Sequence, residues 1–413
     1  MEAADVLELL KEDDKTFHFY FYLGPDTEHK AGLVSHAPLT LCACYLIGAT
    51  KQQVIDHLQF YDFQLKNKYL VPLVPALPNV DHETIEDKNW QNYRDYSQVK
   101  IAQSIFNYEL KKKGILYFIE ENGKYFADGM VSGLFHGWLL VAFGFELIHK
   151  INNDKVAMDA WQNEGIINLI AKGLATVHTK DIHFPRLPNT PSATVAQPLD
   201  VNELTRLVDE FLASDDWKEI YEEIDENLVL TVPPIRSPLD FAASLSRHDK
   251  FNALFLEKLD VFLSRDVQDI HKNTELAVTF FFNVFLQSQD FEIMHCLNSF
   301  RGTSIISEYV SEDVKFYLLR ATWRACVADY LLAESKQRKV NASVEDRSRG
   351  TEKNIPCPVV PFTWEEILAN TVGGKHSHSI KFSWGSYALS KQFPSVDAIA
   401  RLVSTTIAHR KVF

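Results

Sequence analysis

The residues best suited to chemistry lie near the C-terminus, within residues 373–381. A Gly-Gly pair is followed there by His376, His378 and Lys381. If a helix begins near Ser377, His378 and Lys381 are three residues apart and share one helical face. Such a pair makes a metal site only when further ligands arrive from other parts of the chain, so the remaining histidines have to supply them.

Fifteen histidines are present, and most lie in polar stretches, where we expect them to be solvated, as for His57, His82 and His271. Those in apolar, helix-like surroundings are His36, His136, His295 and His378. Imidazole is the commonest protein ligand for iron, copper and zinc. These four histidines and Lys381 therefore form a candidate metal site. A lone histidine in such a context is more often a satisfied core residue, and this alternative stays open.

The composition is that of an ordinary globular protein, with 46% hydrophobic and 23% charged residues among 413. The net charge of −13 argues against a nucleic-acid or anionic-membrane partner. Five cysteines include no C-x-x-C pair, so neither a zinc ribbon nor a thioredoxin-like redox pair is indicated, and the sparse set fits a reducing compartment. The acidic N-terminus lacks the features of a signal peptide, so we expect a cytoplasmic protein.

Helical spacing recurs along most of the chain, without sustained strand alternation or a repeat. We predict an all-α protein, one large multi-helix domain over residues 1–413 with a buried metal site between helices. The apolar residues 131–148 approach membrane-spanning length, but His136 and Glu146 within them favour a buried core helix. The charged, proline-containing residues 336–361 are predicted to form a flexible loop within the domain.

Three further expectations concern the middle of the chain. Residues 154–174 are predicted to be a helix, and the proline-containing residues 176–200 a long loop that covers a site or links units. Three prolines over residues 233–238 are expected to interrupt the chain before a helix over residues 251–263.

Several common catalytic motifs are absent. The sequence contains no H-E-x-x-H, G-x-S-x-G, Walker A or G-x-G-x-x-G motif. A Rossmann unit for a nicotinamide or flavin cofactor is therefore unsupported. Arg247-His248-Asp249 contains the His-Asp pair of phosphohydrolases, but the additional histidine and aspartate that such enzymes need are not evident.

Four short segments, each with one of the four histidines, resemble the questin oxidase-like family, which includes fungal enzymes that oxidatively cleave anthraquinone rings. Residues 35–39 read Ser-His-Ala-Pro-Leu and are similar to the family's Asn-His-x-Pro-Met. Residues 135–139, Phe-His-Gly-Trp-Leu, resemble its His-Gly-Leu-Ile motif. Residues 295–299, His-Cys-Leu-Asn-Ser, resemble His-x-Val-Thr-Ser, and residues 378–381, His-Ser-Ile-Lys, match His-Ala-Ile-Lys.

The resemblance implies a mononuclear non-haem iron(II) centre, with carbon dioxide bound as a lysine carbamate. Its implied catalytic and metal-binding residues are His36, His136, His295, His378 and Lys381. The implied activity is that of an oxygenase that inserts dioxygen-derived oxygen into an aromatic or polyketide-like small molecule. Baeyer–Villiger-type insertion and dioxygenase ring cleavage both stay open, as do the substrate, a requirement for NADPH and the oligomeric state.

The chain departs from the family pattern at Ser35, Leu140, Asn298 and Ser377, none of which is an implied ligand. These departures keep a second reading open, a non-catalytic helical binding protein that retains the oxidase scaffold. A third is a metallohydrolase in which the carbamate of Lys381 bridges two metals, although few carboxylates lie near the histidines in the sequence. Carbamate formation itself requires a neutral lysine, which burial and a nearby cation favour.

Overall fold

The computed structural model describes residues 1–16, 20–23, 33–34, 36–66, 70–72, 81–95, 98–179, 182–189, 199–231, 238–262, 264–288, 290–345, 361–374 and 376–409. Within these ranges seventeen α-helices confirm the all-α prediction. The helices are α1 Ala3–Thr16, α2 Ala37–Ile47, α3 Lys51–Lys66, α4 Val99–Lys113, α5 Ile115–Asp128, α6 His136–Asn153, α7 Glu164–Thr179, α8 Val201–Leu212, α9 Asp215–Thr231, α10 Pro238–Ser246, α11 Asp249–Leu254, α12 Val267–Ser288, α13 Phe291–Ser307, α14 Glu312–Glu345, α15 Trp364–Gly373, α16 Ser377–Gln392 and α17 Asp397–His409.

Helix α6 lies at the centre of the core and packs against α2, α7 and α13. Most of its residues are buried, because the helix is apolar on nearly every side. Its closest neighbour is α7, and the crossing point is formed by Gly137 and Gly173. A Cβ atom on Gly173 would lie 2.6 Å from the Gly137 carbonyl oxygen, so only glycine permits this approach of the two backbones.

The apolar residues 131–148 form a core helix as predicted, but the helix begins at His136 rather than at residue 131. Three successive residues before it have positive φ angles, Gly133 at 62°, Leu134 at 53° and Phe135 at 63°. A right-handed helix cannot contain this conformation, which is why α6 starts later. None of the described helices is long and apolar enough to cross a bilayer.

Other predicted boundaries were wrong. Residues 154–163 form turns and the short 3-10 helix Ala160–Gln162, and α7 spans Glu164–Thr179, so the helix predicted over residues 154–174 starts ten residues later and runs beyond its predicted end. Of the three prolines predicted to interrupt the chain, Pro233 and Pro234 lie outside the described residues, and Pro238 opens α10, a helix that was not predicted, at a position where its missing N–H costs nothing. The helix predicted over residues 251–263 is α11, followed by a π-helical turn at Phe255–Leu259.

The segment predicted as a flexible loop over residues 336–361 begins inside a helix. Helix α14 continues to Glu345, so the prediction is wrong for residues 336–345. Residues 346–360 lie outside the described ranges. The single-domain prediction stays a prediction, although one hydrophobic core contains residues from α1 through α17.

A small antiparallel sheet accompanies the helices, and the sequence analysis did not predict it. Its strands are β1 Tyr20–Leu23, β2 Leu33–Val34 and β3 Leu70–Pro72, in the order β2-β1-β3. In the register of the sheet Phe21 pairs with both Leu33 and Pro72. Strands of two to four residues are too short to show the alternation that predicts a strand.

The core also contains a polar region, here called the ion-pair region, which joins α5 and α14 to the chain after α11. It contains Asp128, Asp260, Tyr317, Arg320 and Arg324, all buried. Arg320 forms a bidentate pair with Asp260, and Arg324 Nη2 lies 3.0 Å from Asp128 Oδ1. The two arginines also donate to the carbonyl oxygens of Pro188 and Pro185, which fixes residues 182–189 against the core.

Candidate metal centre

The four predicted histidines lie at the N-terminal ends of four helices. His36 immediately precedes α2, and His136 is the first residue of α6. His295 is the fifth residue of α13, and His378 is the second residue of α16. Helices α2, α6, α13 and α16 pack against one another, which brings these ends together. We call the four histidines and Lys381 the histidine cluster.

Three of the histidines form the centre of the cluster. His36 and His136 stack with their ring centroids 4.5 Å apart, and His378 meets His36 edge-on at 4.2 Å. One ring nitrogen from each of the three lies within 4.8 Å of the other two. Three imidazole nitrogens at this separation can surround a single ion with a small inward movement, since metal–nitrogen bonds are about 2.0–2.1 Å long.

Lys381 and His295 border this centre. Lys381 follows His378 by one helical turn on α16, and its Nζ atom is 3.2 Å from His136 Nε2. The ring of His295 lies 4.9 Å from that of His136 and 5.5 Å from that of His378, measured between centroids. The structure therefore brings all five predicted residues together, with His295 beside the central three. Their role as metal ligands stays a prediction.

Hydrogen bonds orient two of the rings. The Nδ1–H group of His136 donates to the carbonyl oxygen of Gly133 at 2.8 Å, which leaves the Nε2 lone pair facing Lys381. His36 Nδ1 lies 3.2 Å from the Ser377 hydroxyl. Metal-bound histidines commonly use the second ring nitrogen in this way, because the hydrogen bond fixes the tautomer and the ring orientation.

The backbone immediately before His136 is strained, and this strained turn positions the His136 side chain. Leu134 and Phe135 both adopt the left-handed conformation, which costs a non-glycine residue of the order of 1 kcal/mol or more. Phe135 is fully buried, and Ser132, just before the turn, donates from its hydroxyl to the Ile182 carbonyl oxygen at 3.1 Å. The surrounding packing maintains the turn, and the turn directs the Gly133 carbonyl at His136.

The cluster is a group of bases in which His136, His295 and Lys381 are buried and His36 and His378 are partly buried. Burial is the main cause that lowers the pKa values of His36, His136 and His378 well below the usual histidine range, and the charge of Lys381 adds to it. Burial also lowers the pKa of Lys381 to about 7. The positive ends of α2, α6 and α16 point at the same place and oppose further positive charge. Neutral nitrogen bases are the form that binds a metal ion.

Other residues named from the sequence have different positions. His57 was predicted to be solvated but is buried, and its Nε2–H donates to the Val372 carbonyl oxygen at 3.1 Å. His248 caps α11 and faces Glu223 on the surface. Trp138 is in the core, where its indole N–H donates to Thr303 at 3.1 Å. His376 is the N-cap residue of α16 and takes no part in the central three.

Two residues whose hydrogen bonds orient the histidines were not recognised from the sequence. Ser377 was identified only as a departure from a family pattern, and Gly133, within the apolar residues 131–148, was given no role. Glycine three residues before a histidine that opens a helix is a weak signal, because glycine serves many purposes. The hydrogen bond from His36 to Ser377 joins residues 341 positions apart, and no local pattern predicts it.

The fold and the cluster define a helical protein with a nitrogen-rich site buried between helix ends. The questin oxidase-like family matches residues 33–383, which is most of the chain, and the protein belongs to this family. Membership indicates an oxidase-type oxidoreductase that acts on a small molecule. No curated protein matches the chain.

Proposed function

We propose that this protein is a non-haem iron oxygenase that acts on an aromatic or polyketide-like small molecule. The observation that carries the proposal is the convergence of His36, His136 and His378 within 4.8 Å, next to Lys381 and His295. Family membership over residues 33–383 supports the oxidoreductase class. The nature of the donor atoms supports the choice of metal.

The donor set fits iron(II). The four histidines would supply neutral imidazole nitrogens, and Lys381, once carboxylated, would supply an anionic oxygen. Among the described residues the group of potential ligand atoms around His36, His136 and His378 contains no carboxylate, so the carbamate provides the negative charge that the site otherwise lacks. This makes a hydrolase with two bridged metals the weaker reading, since a second metal requires further anionic ligands.

The position of Lys381 supports the proposed carbamate. The neutral Nζ amine attacks carbon dioxide, a C–N bond forms, and one proton leaves the nitrogen. The His136 Nε2 atom, 3.2 Å away, is placed to take that proton in passing, and the proton then leaves to solvent because the lowered pKa of His136 favours its neutral form. Burial of Lys381 favours the neutral amine that the attack needs. The positive ends of the surrounding helices stabilise the resulting anion.

When bound, iron(II) would supply the means to hold dioxygen and to exchange electrons between dioxygen and the organic substrate. The chain's own residues prepare the site for it. His136 is oriented by the Gly133 carbonyl and His36 by Ser377. Burial of His136, His295 and Lys381 keeps bulk water away from that part of the cluster, which strengthens electrostatic interactions there and limits side reactions.

The experiment measures metal content and oxygen consumption on the same protein. We expect the full-length protein, loaded anaerobically with iron(II), to bind close to one iron per chain and to consume oxygen with some member of a panel of phenols and quinones. His136→Gln and His378→Gln should lose most of the iron and the oxygen uptake. His376→Gln, a matched control two residues from His378, should keep both.

A second measurement tests the lysine. Protein equilibrated with carbon-13 bicarbonate should show a carbamate signal by nuclear magnetic resonance, and Lys381→Met should lack it. Wild-type protein that binds no iron, or ligand variants that keep their iron, would show the proposal to be wrong. Iron binding without oxygen uptake on any tested compound would favour the non-catalytic binding protein instead.

A further inference from the structure

A small cavity lies between α6, α13 and α16 and has room for about one water molecule. Lys381 lines it from α16, and Asn298 lines it from α13. Each of these two residues follows a histidine of the histidine cluster by three positions on the same helix. Residues three apart share one helical face, so the cavity adjoins the cluster. It is too small for an organic substrate.

Asn298 is a buried amide at this cavity. The residue is 6% exposed, and within the described part of the chain no group forms a hydrogen bond with its side chain. Burying an amide in this way costs free energy, so such a group is expected to meet a ligand or a water molecule. The other polar side chains at the cavity already have partners, since Arg301 and Trp384 both donate to Glu146. Asn298 therefore offers the donors of its NH2 group to whatever occupies the cavity.

A glycine on α16 makes room for the Asn298 side chain. A Cβ atom on Gly385 would lie 2.4 Å from Asn298 Oδ1, so the amide occupies the space that a larger residue at position 385 would fill. Gly385 follows Lys381 by four positions, and residues at this spacing are neighbours on one helical face. The amide of Asn298 therefore reaches from α13 to a point one helical turn from Lys381.

The proposed carbamate of Lys381 would bring a hydrogen-bond acceptor to this place. Carboxylation adds one carbon and two oxygen atoms to Nζ, and one of these oxygens is the proposed metal ligand. The second oxygen then needs space and a donor. The cavity has space for a group of about the size of one oxygen atom, and the amide of Asn298 supplies the donor. A hydrogen bond to a charged oxygen is stronger than one between neutral groups.

We propose that Asn298 is a positioning residue for the Lys381 carbamate, with its side-chain NH2 group donating to the carbamate oxygen that does not bind the metal. The inference rests on the proposed function, because it takes the carbamate from there. The reaction needs only the neutral amine and carbon dioxide. The C–N bond forms, one C=O double bond of carbon dioxide becomes a single bond to an anionic oxygen, and one proton leaves the nitrogen. Asn298 stabilises this product and fixes its orientation without exchanging a proton.

The test measures the carbamate itself in metal-free full-length protein, so that neither a bound metal nor activity contributes. The protein is equilibrated with increasing carbon-13 bicarbonate at fixed pH and ionic strength, and the carbamate fraction is read from the nuclear magnetic resonance signal that Lys381→Met lacks. We expect Asn298→Leu, similar in shape but without donors, to need about 10-fold more bicarbonate for the same fraction, because a hydrogen bond to a charged group is worth about that factor. Asn298→Asp should need still more, because its carboxylate repels the carbamate.

Two further variants separate this role from a general effect on packing. Ser304→Ala removes another buried polar group of α13, one with no hydrogen-bond partner among the described residues, and should leave the bicarbonate dependence unchanged. Gly385→Ala should weaken carbamate formation, because its Cβ atom displaces the amide, and should have no further effect when combined with Asn298→Ala. Asn298→Asp keeps the shape of the side chain and serves alone if the leucine variant does not fold.

The inference is overturned if the wild type and the Asn298 variants depend on bicarbonate in the same way. That outcome leaves the proposed function untouched and assigns the cavity to a structural water only. Wild-type protein without any carbamate signal overturns the inference together with the proposed carbamate. Protein whose carbamate depends on Asn298 but which binds no iron would contradict the oxygenase and leave the inference standing.

Discussion

The two buried polar regions of this protein meet the cost of desolvation in opposite ways. In the ion-pair region, Arg320 faces Asp260 and Arg324 faces Asp128, so each charge has a counter-charge from the chain itself. In the histidine cluster every polar group is a base, and burial lowers the pKa values of His36, His136, His378 and Lys381.

We attribute a structural role to the ion-pair region and a functional role to the histidine cluster. A buried charge is tolerated when a partner and hydrogen bonds replace its water, as in the ion-pair region. A cluster of buried bases is tolerated when its members give up their protons, and it then presents nitrogen lone pairs to a ligand. The first region holds residues 182–189 and α14 in place, whereas the second is suited to a metal ion from solution.

The largest expected effect is a loss of stability when a counter-charge is removed from the ion-pair region. Asp260→Asn leaves the guanidinium group of Arg320 buried without its counter-charge, and both side chains are at most 1% exposed. We expect the free energy of unfolding to fall by about 3–5 kcal/mol, measured by chemical denaturation. The control is Glu210→Gln, which removes an exposed partner of Arg206 and should cost less than about 1 kcal/mol. Equal effects of the two variants would contradict the comparison.

In the histidine cluster we expect a substitution to raise the free energy of unfolding instead of lowering it. Lys381→Met keeps most of the side-chain volume and removes a buried amine, so the metal-free protein should become more stable by about 1–4 kcal/mol at neutral pH, measured by thermal unfolding with a chelator. Lys391→Met, near the end of the same helix, should have little effect. A destabilised Lys381→Met would show that the hydrogen bond between Lys381 and His136 outweighs the cost of burying the amine.

The stabilisation should depend on pH in a defined direction. The pKa of Lys381 is about 7 in the folded protein and returns to about 10.5 on unfolding, so the folded state binds fewer protons between these values. The stability of the metal-free wild type therefore rises with pH across this window. The advantage of Lys381→Met should be greatest at and below pH 7 and should disappear near pH 10.5. A constant advantage would contradict this assignment.

The smallest expected effect concerns the orientation of the His36 ring. Ser377→Ala removes the hydroxyl group beside His36 Nδ1 and leaves the proposed ligands in place. We expect iron affinity to fall about 10-fold, measured by competition with a chelator, with little change in unfolding free energy. Ser390→Ala removes a hydroxyl that donates to the Tyr387 carbonyl oxygen farther along the same helix and should leave the affinity unchanged. Loss of affinity in both variants would point to a general effect on α16.

The helices and the members of the histidine cluster could be predicted from the sequence because their sequence signals are local. His295 stands in an apolar run that a helix must bury, and the spacing of His378 and Lys381 places both on one helical face. The errors have local causes too. The polar neighbours of His57 indicated a solvated residue, but its partner is the Val372 carbonyl 315 residues away.

The sequence by itself determined the residue types of the site, the predominantly helical fold and the family, because composition, periodicity and short motifs carry that information. Only the tertiary structure decided how these residues face one another. The left-handed turn at Gly133–Phe135 and the hydrogen bond between His36 and Ser377 arise from contacts between distant segments. The charge balance of each buried region likewise depends on which side chains the packed helices bring together, and spacing along the chain does not encode it.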